Sequence, residues 1–423
     1  LAGLGASLAG AWRGPPLLYD GAPELARLDP AAAFPFYLGY VLLALGLAAM
    51  AATAIATALA GKRAAGGAEW SALGFGSVAW AGLLLVSALA MLTVFGPAAL
   101  WSLGLAAEPS DHQTRWHLLF HNLHYLPLMG TVLVWYALVR ELTGVASLFG
   151  DRFSKVVFAL YLVFVPPTSL YHMFLEPDLA APVRVLGSVL SLFVGVPTIA
   201  VFLILAISLE AHARARGARG LFGWLGRLPW QEPAMAALGA AVVNLAAGGA
   251  LAFVLIQEKL APLLSDTFFV PGYFHLLTVG TVSLTLLGAF ARLVPALAGR
   301  APAPSPVLCR LPWAISAALW VFALAGVAAG LQGLPRRVID AGYDGGAPSS
   351  WAPLTTAVAL AGTVMAAGLL AYILGLVAVW LGRGRTAAVA GPAPAPVGVR
   401  EASAAVAWTG PLALAVLLAA MYG

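Results

Sequence analysis

The sequence predicts an all-α membrane protein of about ten transmembrane helices, and three observations predict it. The 423 residues are 61% hydrophobic and only 9% charged, a balance foreign to soluble domains of this length. Apolar runs of twenty or more residues recur along the chain, each long enough to cross a hydrocarbon core of about 30 Å. Lysine and arginine then alternate between rich and poor loops, as the positive-inside rule requires. The formal net charge of +5 fits this topology, so nucleic acid is not expected as a partner. The single cysteine, Cys309, excludes an internal disulfide framework and any cysteine-held cluster.

Residues 1–12 read as the tail of a further helix. The first residue is a leucine with no charged signal region before the apolar stretch, so the start is expected to be trimmed. The first full span is 35–60, closed by Gly61-Lys62-Arg63, and the second is 70–97. The third, 116–140, opens with His117, His121 and His124. The fourth and fifth, 153–175 and 182–209, precede the polar turn Gly217-Ala218-Arg219-Gly220. The sixth to tenth are 233–256, 271–297, 311–332, 353–382 and 404–421, with the Ala/Pro stretch 390–397 as a flexible loop before the last. Nothing suggests a separate soluble domain, so residues 1–423 read as one transmembrane domain.

The loops after the odd-numbered spans hold 15 of the 22 basic residues and the opposite loops hold 7. The first set is therefore assigned to the cytoplasm, in the inner membrane of a prokaryote. On this topology five of the seven histidines, His117, His121, His124, His172 and His275, share one layer in the outer third of the membrane. Ionisable groups inside spans are costly and mark function by default. The other two, His112 and His212, fall outside that layer. His117, His121 and His124 stand on one helix face, but the outer pair lies about 10 Å apart along the axis, too far to share an ion. An ion could take His121 with either neighbour, plus His172 from the next span. Such imidazole sites suit copper, zinc or haem iron. Tyr125, one turn beyond His121, is placed to tune such a site or exchange electrons with it. Arg336 and Arg337, just outside the eighth span, suit carboxylates such as haem propionates through paired hydrogen bonds. No Asp or Glu lies mid-span, so any proton path would use hydroxyls and water.

Several motifs together resemble haem-copper oxidase subunit I. Pro271-Gly272-Tyr273-Phe274-His275-Leu276 is similar to the family's haem-ligating motif, where a His-Phe-His triplet binds two haems. The stretch from Phe120-His121 to Tyr125 resembles its copper-ligand helix, and Tyr171-His172 its adjacent copper histidines. Leu221-Phe222-Gly223-Trp224 with Leu228-Pro229-Trp230 resembles a loop of the B-type cytochrome c oxidase branch. Pro335-Arg336-Arg337 matches the propionate-binding arginines.

The resemblance implies the ten-helix arrangement of that subunit, with a low-spin b-type haem at His275 beside Arg336 and Arg337. It implies copper at His121, His172 and His124 if copper is held at all, and a catalytic role for Tyr125. Two departures bear on this. Tyr273 stands where the axial histidine of the catalytic haem is expected, which disfavours a second haem, and Tyr171 replaces one copper ligand. Tyrosinate favours ferric haem and lowers its potential. The helix with the second low-spin ligand lacks a counterpart, so trimmed helices or another chain are expected to supply it. Of the channel residues Tyr136 and Thr198 remain, while a neighbouring site is Val201.

The leading expectation is a haem-binding electron-transfer subunit of a respiratory complex with a degenerate dioxygen-reducing centre. One alternative is an active terminal oxidase or nitric oxide reductase; another is a structural anchor without redox chemistry. Expected partners are other membrane subunits and a periplasmic redox protein (cytochrome c or cupredoxin-like), with quinone left open.

Overall fold

The computed structural model describes residues 1–13, 30–145, 149–168, 180–257, 259–300, 305–336, 345–382 and 402–421. At some helical positions, His117 and His121 among them, the backbone is described and the side chain is not. Among the described residues every regular element is helical. The helices are α1 (Ala2–Arg13), α2 (Pro30–Ala64), α3 (Ala72–Ser102), α4 (His112–Thr143), α5 (Gly150–Phe164), α6 (Ala181–Phe193), α7 (Gly195–Ala215) and α8 (Pro233–Leu255). They continue as α9 (Ala261–Leu264), α10 (Phe269–His275), a π-helix (Leu276–Ser283), α11 (Leu284–Leu297), α12 (Pro306–Leu331), α13 (Trp351–Trp380) and α14 (Ala404–Met421).

Nine helices among the described residues are long and apolar enough to cross a membrane, so the chain is a polytopic helical membrane protein. Several exceed the predicted spans. The 35 residues of α2 extend about 52 Å at the α-helical rise, well beyond a 30 Å core, and Lys62 and Arg63 in its last turn belong among headgroups. The prediction needs changing at the fourth and fifth spans. Residues 153–175 contribute the 15-residue α5 and a single turn at Pro166–Thr168, while 169–179 lie outside the described residues. Residues 182–209 are broken between α6 and α7 at Val194. Pro197, in the first turn of α7, has no N–H for the preceding turn, so the ladder restarts there.

The helices group into two compact units. The first comprises Leu1–Met129 and Lys155–Pro197. Here α1 lies against α2 with Gly3 and Gly10 on one side and Gly39 on the other, each lacking room for a methyl group. Ser7 Oγ donates to the Phe36 carbonyl at 3.2 Å across this contact. Helices α2, α3 and α4 then share an aromatic core. Tyr40 stacks on Phe95 at 4.3 Å, and Trp116 meets Phe95 edge-on at 5.3 Å. Such contacts hold membrane helices together by packing, since lipid offers no hydrophobic drive.

The second unit comprises Gly130–Ser154 and Thr198–Gly423. Its centre is a layer of α8, α10 with its π-helical continuation, α11 and α12, with α13 on α12. Ser305 caps α12 by accepting the Leu308 N–H at 3.3 Å, and Pro306 fills the first turn. Gly272 of α10 faces Gly326 of α12 so closely that a Cβ on Gly272 would stand 2.7 Å from the Val327 nitrogen, and Gly330 of α12 abuts Phe269. Arg292 of α11 bridges Glu141 at the end of α4 and Glu232 at the start of α8, tying three helix ends. Trp135 of α4 donates to the Thr285 hydroxyl at 2.7 Å, both fully buried. Trp135→Phe is expected to cost about 1 kcal/mol, the usual worth of one interhelical hydrogen bond. An unchanged thermal unfolding midpoint would show that this bond carries no stability.

Candidate functional site

Helix α10 is seven residues long and carries Tyr273 and His275. Pro271 sits in its first turn, where a missing N–H costs nothing. The His275 Nδ1 lies 2.7 Å from the Pro271 carbonyl. A carbonyl only accepts, so this partner assigns the proton of a neutral ring to Nδ1 and leaves the Nε2 lone pair for a metal. The half-buried ring is steadied by Phe322 of α12, with centroids 4.4 Å apart and planes inclined at 43°. An acceptor behind the non-ligating nitrogen is how metal-binding histidines are aimed.

Positions 273 and 275 lie about 200° apart around a helix, so their side chains leave on opposite faces. Tyr273 is 9% exposed and packs with Leu255, Leu264 and Phe269. Its ring lies 6.0 Å from that of Phe269.

Arg336 is brought to the start of the same helix by an antiparallel pairing of two loops. Phe268 donates its N–H to the Leu334 carbonyl at 2.7 Å, and Arg336 donates its own to the Asp266 carbonyl at 2.9 Å. The guanidinium also pairs with the Asp266 carboxylate at 3.3 Å, its side chain 13% exposed against 83% for the aspartate. Residues 268 and 275 are about 10 Å apart along a helix, so both groups belong to one end of the second unit. The donor set therefore fits haem: an imidazole presenting Nε2 and a largely buried guanidinium near the same helix. Arg337 lies outside the described residues.

The candidate copper residues divide differently. His117, His121, His124 and Tyr125 all fall within α4, so their i, i+4, i+7 face is real at the backbone level. His124 and Tyr125 are half-buried; Tyr171 and His172 lie outside the described residues. Among the described side chains no group of three His, Cys, Asp or Glu converges, and that set includes only His124 of the three proposed ligands.

The remaining histidines have packing roles. His112 is 2% exposed and edge-on to Tyr37 and Phe95, at 6.0 and 5.8 Å. His212, equally buried, approaches the Thr143 carbonyl at 3.0 Å and contacts Arg216, linking the end of α7 to that of α4. Of the residues read as channel positions, Tyr136 donates to Ser154 Oγ at 3.0 Å, and Ser154 Oγ donates in turn to the Gly150 carbonyl at 3.3 Å. Thr198 and Val201 lie on α7. Trp230, in the loop read as B-type, meets Trp313 edge-on at 6.0 Å.

Sequence reasoning missed the polar residues that support α10 and its π-helical continuation. Asn244, fully buried in α8, is the clearest. Its signal was present: a lone amide inside the apolar run Ala240-Ala241-Val242-Val243-Asn244-Leu245. The π-helical turns after His275 left no comparable trace.

Comparison with known proteins agrees with this fold. A cryo-EM structure of a haem-copper terminal oxidase dimer shares the fold, with a TM-score of 0.77 over 100% of this chain and 77% of that one, at 21% identity. A cytochrome c oxidase subunit 1 of Thermus thermophilus is 32% identical over 300 residues, 70% of this chain and 53% of that protein. A second cytochrome c oxidase subunit 1 from Thermus thermophilus is 36% identical over 73 residues, 17% of this chain and 68% of that one. This chain thus spans about half the length of the first relative. The match to the family model covers residues 3–381, and with it the chain belongs to the family of cytochrome c and quinol oxidase polypeptide I.

Proposed function

We propose that this chain is a haem-bearing electron-transfer subunit of a respiratory membrane complex, with a degenerate dioxygen-reducing centre. The observation that carries the reading is the Pro271–His275 hydrogen bond at 2.7 Å, which holds an imidazole with Nε2 available on one face of α10. The opposite face supports it: the position expected to hold the catalytic haem ligand is Tyr273, set among Leu255, Leu264 and Phe269. When bound, a low-spin haem supplies a reversible one-electron carrier. His275 would ligate it, with the Pro271 carbonyl holding the ring, and Arg336 with Arg337 would neutralise the propionates. The positive-inside assignment places this end of α10 near the outer face, beneath the docking side for a periplasmic donor, cytochrome c or cupredoxin-like. Other membrane subunits complete the complex.

The second reading is an active oxidase or nitric oxide reductase, with copper on His121, His172 and His124 and Tyr125 beside it. It is favoured by the intact histidine face of α4 and by the relatives' name, cytochrome c oxidase subunit 1. A pyridine haemochrome assay with metal analysis on the purified complex separates the two. We expect one haem per chain and no copper. Two haems with copper would establish the oxidase, and a featureless visible spectrum would reduce the chain to a structural anchor.

A further inference from the structure

Directly after His275 the helix changes its hydrogen-bond pattern. Leu276–Ser283 forms eight residues of π-helix between α10 and α11. Such segments are rare, and when they occur inside an α-helix they insert an extra residue into the turn. One inserted residue rotates everything on one side by about 100° relative to the other. Whether His275 faces Phe322 therefore depends on this segment keeping its π register.

The register is held by side chains. Thr281 Oγ1 donates to the Leu276 carbonyl at 3.0 Å, and Ser283 Oγ to the Thr278 carbonyl at 3.2 Å, both five residues back. From the neighbouring helix α8, Asn244 Nδ2 donates to the Gly280 carbonyl at 3.2 Å. The same amide nitrogen donates to Ser316 Oγ at 2.9 Å, and its oxygen accepts the Trp320 indole N–H at 3.0 Å. Ser316 and Trp320 belong to α12, as does Phe322. A Cβ on Gly280 would lie 2.7 Å from that of Asn244, so the amide reaches the backbone only because residue 280 is glycine. Asn244 thus ties the π turn to the helix that cushions the His275 ring.

We infer that Asn244 is a positioning residue for the haem ligand, locking the π register that aims His275. It resists the straightening of Leu276–Ser283 into ordinary α-helix, which would turn His275 away from Phe322. This inference rests on the haem reading given above.

The test compares the wild-type complex with Asn244→Leu, Asn244→Asp and Ser316→Ala. Haem content is read by pyridine haemochrome, ligation by the low-spin EPR signal of the oxidised protein, and backbone order by hydrogen exchange of amides 280–286. We expect Asn244→Leu to retain haem about 10-fold less well, as when groups that orient a metal ligand are removed. The residual haem should give a shifted low-spin signal, and amides 280–286 should exchange at least about 10-fold faster, as a lost local lock implies. Asn244→Asp, which keeps the acceptor but loses the donor, should fall between Asn244→Leu and wild type, with Ser316→Ala mildest. If Asn244→Leu does not accumulate, the other two variants decide by the same readouts. A lower melting temperature with unaltered haem content and EPR signal would overturn the inference, because Asn244 would then be packing alone. If the wild-type complex holds no His275-dependent haem, the functional reading fails instead. The exchange arm then judges the register by itself, and unchanged protection at 280–286 overturns that too.

Discussion

His275→Ala is expected to remove the low-spin haem from the chain while leaving its helices folded. The half-buried ring contributes one contact to Phe322 and one hydrogen bond to Pro271, so its loss should cost only about 1–2 kcal/mol of stability. Haem retention should fall far more. Replacing residues that merely orient a metal ligand costs about 10- to 100-fold in affinity, and removing the ligand exceeds that. His275→Met supplies the positive control: thioether ligation keeps haem bound and raises its potential relative to histidine. Visible spectroscopy of purified variants, with circular dichroism for folding, makes the comparison. A wild-type spectrum in His275→Ala would place the haem elsewhere and remove the basis of the proposed function.

The second large effect concerns how α10 is held. Gly330→Leu is expected to destabilise the second unit by about 3 kcal/mol or more, at the upper end of overpacking penalties. A side chain at residue 330 would run into the backbone of Phe269, the first residue of α10. The neighbouring pair leaves no slack, since a Cβ on Gly326 would stand 2.9 Å from the Gly272 Cα. The cheapest relief is to push α10 off α12, which also carries His275 away from Phe322 and Arg336 away from its loop pairing. Haem retention and thermal stability should therefore fall together in this variant, whereas His275→Ala separates them. A thermal midpoint within error of wild type would mean that the glycine contact is looser than described.

Much of the helical pattern was legible because it obeys local rules. The apolar runs, the histidines at helical spacing on α4 and the Tyr-Phe-His order on α10 all depend on a one-dimensional pattern and the period of a helix. Arg336 stood out in the sequence because basic residues are scarce in the loops on its side, but its pairing with the exposed Asp266 did not. The break between α6 and α7 was less so. A glycine and a proline inside a hydrophobic run are common in membrane helices, and neighbours decide whether the chain kinks or continues.

By itself, the sequence determined that this is a polytopic helical membrane protein, since a lipid phase admits only helices and closed barrels, which satisfy their own backbones, and apolar runs of about 20 residues fit helices. Only the tertiary structure decided that His275 presents Nε2, because that rests on the Pro271 carbonyl and the Phe322 ring meeting it in space. The same holds for the Asp266–Arg336 pairing, between residues 70 apart, and for the bond of Asn244 to Gly280 across two helices. Periodicity reports which face of a helix is apolar. It carries no information about the partner helix that supplies a donor, an acceptor or the absence of a side chain.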